Sequence, residues 1–167
     1  LATGSGQIMA DTKALFHADH GNLAGTGTAL SVTSLAAARA AMRKQKALDG
    51  SPIDILPKFL IVSPDLELLA YQFTSTNYVP AKSSDVNVAF ITNLTVIVDP
   101  YLTGNAWYLA AAPGAIDTLE YAFLEGEQEL FTETKYGFNV DGMEIKARMV
   151  FGAHVIDYRS FYKNPGA

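Results

Sequence analysis

The sequence predicts a sheet-rich α+β domain, and three observations carry that prediction. Short apolar or alternating runs bounded by turn residues recur along the chain, among them Lys58–Val62, Leu94–Val98, Asn105–Ala110 and Leu119–Leu124. Two stretches place apolar residues at helical spacing. The segment Tyr136–Phe161 holds Asp141-Gly142 between two alternating runs, the signal of a hairpin with a two-residue type I′ loop.

The hairpin has a defined register. With a two-residue loop, Val140 faces Met143, Phe138 faces Ile145 and Tyr136 faces Ala147. These six residues share one face, which continues through Met149 and Phe151, while Asn139, Glu144, Lys146 and Arg148 lie on the other. A one-residue slip would reverse the faces, so the apolar one is expected to form the core side of a long strand over 143–151.

The other elements follow in order. Residues 1–30, rich in Gly, Thr and Ala, read as an N-terminal arm or loop segment, and 31–167 as a single domain. Leu35, Ala38, Met42 and Gln45 predict a helix over 34–48, capped by Thr33 or Ser34 and stopped by Gly50 and Pro52. Arg39, Arg43, Lys44 and Lys46 gather near its C-terminal end, where the helix dipole favours cations. The run 58–62 reads as a buried strand. Ser63-Pro64-Asp65 then starts a second helix over 64–75, with Leu66, Leu69, Ala70 and Phe73 on its buried face. Residues 76–93 read as a loop with a strand at Val86–Phe90. The strands 94–98 and 105–110 are expected to form a tight hairpin, 119–124 another strand, and Val155-Ile156 a last one. Trp107, Tyr108, Tyr121 and Phe123 are expected in the core.

Composition narrows the function. The 167 residues suffice for one domain burying roughly 68–70% of its unfolded surface. A content of 49% hydrophobic and 17% charged residues fits a globular chain. The net charge of −5 and pI near 5.1 give no electrostatic footprint for nucleic acid, so no sequence-specific binding to it is expected. No cysteine is present, which excludes disulfides and thiolate metal sites. No apolar run approaches the ~20 residues of a membrane span, and no membrane partner is expected. The opening LATGSGQIMADTK has neither an initiator Met nor a signal pattern, and reads as the start of a fragment.

No catalytic signature stands out. His17, Asp19 and His20 could supply metal ligands to a metal-assisted hydrolase, but the spacing is not HExxH; local hydrogen bonds are the plainer reading. A triad of a serine with His154 and Asp157 lacks a nucleophile elbow, Ser160 lies in a segment without a strand-turn-helix signal, and Asp157 is expected to pair with a cation such as Arg159. Gly21, Gly25 and Gly27 match no phosphate-binding pattern, and the glutamates between Glu120 and Glu133 match no calcium loop. No cofactor is expected. The residues favour a structural or interaction protein.

The stretches LFHADHGNLAGTGTALSVTSLAAARAAMRKQKALDG, PKFLIVSPDLE, NAWYLAA and GFNVDGMEIKARMVFGAHVIDYRSFYKNPGA cover most of the chain. They resemble the capsid part of a prophage family in which a Clp-like prohead protease is fused to the major head subunit, and are similar to the Mu-like major head protein. The resemblance implies a Hong Kong 97-like capsid fold. The chain would be a fragment holding mainly its axial domain, a central sheet with flanking helices, plus returning peripheral-domain strands. It implies a non-enzymatic subunit that self-associates into capsomers, with other phage head proteins as further partners. The protein would reside in the virion, and in the host cytoplasm during assembly. No protease motif is present to carry over. The acidic loop 125–133, with Glu127 and Glu129, and the cationic helix end, with Arg43 and Lys44, are the expected inter-subunit pair.

Overall fold

Pro57–Val62 forms strand β1, and the principal sheet is built on it. In this computed structural model, which describes residues 4–75, 91, 93–126, 128–137 and 141–167, β1 follows helix α1 (Val32–Arg43). A 3-10 turn (Pro64–Leu66) and α2 (Glu67–Thr74) come next, then β2 (Thr95–Val98) and β3 (Trp107–Ala111). The chain continues through β4 (Leu119–Phe123), β5 (Phe131–Tyr136), β6 (Met143–Arg148) and β7 (Phe151–Val155) to β8 (Phe161–Asn164). The expected strand at 86–90 lies outside the described residues.

The sheet order is β2-β1-β3-β8, with β1–β2 parallel and the other pairings antiparallel. The expected hairpin between β2 and β3 therefore does not form, because β1 lies between them. The chain between β1 and β2 includes α2, the kind of crossover a parallel pair requires. Centring β1 also encloses Leu60 and Val62 fully, whereas β2 is left as a half-exposed edge.

Side-chain alternation divides two apolar clusters between the faces of this sheet. Leu60, Val62, Trp107 and Leu109 join Leu35, Ala38 and Met42 of α1 and Ala70 of α2. Tyr108, Ala110 and Phe161 instead join Met9, Leu15, Phe16 and Leu102, with Phe59 and Ile61 packed against them. Among the described residues 4–30 the longest regular element is the 3-10 turn Ala18–His20, yet Leu15 and Phe16 are almost fully buried. Near the C-terminus, Asn164 accepts from Thr28 N, and a Cβ placed on Gly27 would overlap the Gly166 carbonyl.

Helix α1 begins earlier than expected. Ser31, rather than Thr33 or Ser34, is the N-cap: its hydroxyl accepts from Ser34 N at 3.1 Å while Ser34 Oγ accepts from Ser31 N at 2.9 Å. The helix also ends at Arg43, well before Gly50. A bridge between Lys46 and Pro52 closes a tight loop, and Asp49 accepts from Ser51 N and Oγ there. Those side-chain bonds compete with helical continuation. The expected face nonetheless holds through Leu35, Ala38, Met42 and Gln45, all buried.

The chain divides into two compact units, one running to Thr118 and resuming at Val155, the other Leu119–His154. The second unit contains two two-stranded ladders, β4–β7 and β5–β6. The expected long strand 143–151 is split, because Met149-Val150 breaks β6 from β7. The register expected from Asp141-Gly142 is also overturned: Tyr136 faces Met143, and Thr134 faces Ile145. Gly137 N donates to Gly142 O at 3.0 Å, one step beyond the Tyr136–Met143 pair; 138–140 lie outside the described residues.

The face expected as the core side of 143–151 is not buried. Every described residue of 119–154 is exposed, including Tyr121, Phe123, Met143, Ile145, Met149 and Phe151. A two-stranded ribbon has no second layer behind it, so its apolar face is no core side within this unit. Trp107 and Tyr108 are in the core as expected; Tyr121 and Phe123 are not.

Candidate functional site

His17, Asp19 and His20 sit together on the 3-10 turn, each already engaged. His17 Nδ1 accepts from Asp19 N at 3.2 Å, which caps the turn. The Asp19 carboxylate pairs with Lys13 at 2.6 Å, and that hydrogen bond holds its pKa below the usual carboxylate value. The ring of His20 is buried between Leu15 O, 3.1 Å from Nδ1, and the Asp11 carboxylate, 2.7 Å from Nε2. It stacks on Tyr158 with centroids 3.8 Å apart, and Arg159 lies over the Tyr158 ring at 4.8 Å. The cluster thus ties the N-terminal segment to the C-terminal one. Among the described residues, no group of three or more His, Asp or Glu is placed to hold a metal.

Of the paper triad, Asp157 binds Arg159 at 2.9 Å as expected, and Ser160 Oγ donates to the Asp157 carbonyl at 2.9 Å. These bonds shape the 3-10 turn Tyr158–Ser160.

The four expected contact residues have different surroundings. Arg43 is held within its own unit by Asp54 through two hydrogen bonds, 2.5 and 3.0 Å, which lower the Asp54 pKa. Lys44 and Glu129 are exposed, and Glu127 lies outside the described residues. Beside Lys44 opens a cleft of about 630 Å³, lined in part by Asp19, His20, Lys44, Lys46, Leu48 and Arg159. In the sequence, Lys46 and Arg159 stand out only as a helix-end cation and as a partner for Asp157. Asp11 carries no local signal, since its bond to His20 spans nine residues.

The second unit offers surface of another kind. The β5–β6 ladder sets Glu133 opposite Lys146 and Lys135 opposite Glu144 on one face. Thr134, Tyr136, Met143 and Ile145 occupy the other, with Tyr136 77% and Ile145 64% exposed. In β4, Tyr121 and Phe123 make an edge-to-face pair at 5.8 Å. Such geometry suits recognition through surfaces. A profile of the family described as phage capsid protein matches residues 1–164. The chain belongs to the phage capsid protein family. That family is structural and its place is the virion. No match was found among curated proteins. Among the described residues, no helix is long and apolar enough to cross a membrane.

Proposed function

We propose that this chain is a head-shell subunit of a Hong Kong 97-like phage capsid, self-associating into capsomers and meeting other phage head proteins in the assembled virion. The resemblance to the protease–head subunit fusion family supports the finer assignment. The carrying observation is the second unit, in which no described residue of 119–154 is buried. Fully burying an exposed Phe, Ile or Met side chain contributes at most about 1.5–3 kcal/mol. Association costs about 4–15 kcal/mol, and the cover of half a dozen such side chains is of the same order. Neighbouring copies in a shell supply that cover by heterologous contacts that close into rings. Arg43, Lys44, Glu127 and Glu129 remain proposed contact residues, with Arg43 positioned by Asp54.

Ile156 N donates to Thr118 O at 2.9 Å, so the chain ends flanking the second unit lie side by side. A short glycine loop of about 2–5 residues can therefore replace 119–154. The full chain is expected to form rings or shells by electron microscopy, and the shortened chain to stay monomeric. Equal assembly by both would contradict the proposal.

A further inference from the structure

We propose that the cleft beside the loop between Lys46 and Pro52 receives the acidic turn at Glu125-Gly126 of a second copy, an inference that rests on the self-association proposed above. The loop is held from several sides. Ala47 N donates to Ser51 O at 2.8 Å, Ile53 N to Gln45 O at 3.0 Å, and Arg159 Nε to Lys46 O at 2.8 Å. Gln45 Nε2 anchors its base to His20 O at 2.9 Å. At the tip of this fixed loop, Leu48 is 98% exposed. An apolar side chain presented on a pre-ordered loop loses little entropy on docking.

Charge specifies the occupant. Of the groups lining the cleft, Asp19 is paired with Lys13 and Arg159 with Asp157. Lys44 and Lys46 have no acidic partner among the described residues, which leaves the cleft with surplus positive charge. The chain carries the opposite surplus at 125–133, where four glutamates occur with no Lys or Arg. Glu125 and Glu129 are exposed there, without a cationic partner among the described residues, and are flanked by exposed Leu124 and Leu130. Lysines beside a leucine meet glutamates beside leucines. Exposed ion pairs are individually weak, so they fix the orientation of the contact and leucine burial holds it.

The test mixes full chains labelled with ¹⁴N and ¹⁵N, lets them associate, and adds a carbodiimide. The reagent activates a glutamate carboxylate, which the lysine amine attacks to form an amide with release of the urea. The inference predicts amides joining Lys44 or Lys46 to Glu125 or Glu129 with one partner of each isotope. It also predicts that E125Q/E129Q raises the concentration needed for association about tenfold while leaving the melting temperature unchanged. Particles that form with single-isotope amides only, or with none at these residues, would overturn the cleft contact and leave self-association standing. Chains that never associate would overturn both.

Discussion

Tyr136 stands opposite Met143 in the β5–β6 ladder, four positions from Ala147, the partner that a two-residue Asp141-Gly142 turn would impose. Because the shift is even, the side chains described in the ladder keep the face that alternation assigns to them. This register also aligns unlike charges, Glu133 with Lys146 at 3.6 Å and Lys135 with Glu144. K146E should therefore weaken the ribbon by about 0.2–1 kcal/mol, since like charges directly opposite repel. E133K/K146E should recover most of the loss. Urea unfolding followed by circular dichroism reads both changes.

The apolar face of the same ribbon predicts a separation between folding and assembly. Tyr136 and Ile145 are both exposed, so Y136S/I145S should leave the melting temperature of the dissociated chain within about a degree. If a neighbour covers them, the lost burial is about 1.5–3 kcal/mol per side chain. That corresponds to at least a tenfold rise in the association midpoint, measured by sedimentation. A large fall in melting temperature would instead place these residues in an internal core.

Periodicity made the local elements legible. The face Leu35, Ala38 and Met42 follows from a 3.6-residue repeat, and the strand at 58–62 from a short apolar run. Pairing was not legible, because no residue in β2 or β3 announces that β1 lies between them. The Lys46–Pro52 loop closes through bonds that single-residue propensity does not encode, and the Asp11–His20 contact depends on the packed fold. Alternation in 143–148 marked the apolar face that the β5–β6 ladder keeps, but not the break at Met149-Val150. It could not say whether the cover comes from this chain or from another.

Ser31 gives a direct check on the start of α1. S31A removes one half of a reciprocal cap and should cost about 1 kcal/mol in urea unfolding. T33A, which alters a residue inside the first turn rather than the cap, should cost only a few tenths.

Acid sensitivity has a defined sign. The hydrogen bond from His20 lowers the Asp11 pKa, and the guanidinium of Arg43 lowers that of Asp54. A folded-state pKa below the unfolded value contributes stability above about pH 4, lost as pH falls through the folded value. Unfolding by acid should therefore steepen below about pH 4. D11N and D54N should each flatten that dependence while lowering stability at neutral pH, as followed by circular dichroism.

The most direct test of the central claim is amide hydrogen exchange across 119–154 in dissociated and assembled chains. Exposed two-stranded ribbons should exchange rapidly when the chain is alone. Assembly is predicted to slow exchange in 119–154 by more than tenfold, with little change in 57–62 and 107–111, which are already enclosed. Unchanged exchange across 119–154 in fully assembled particles would contradict the account.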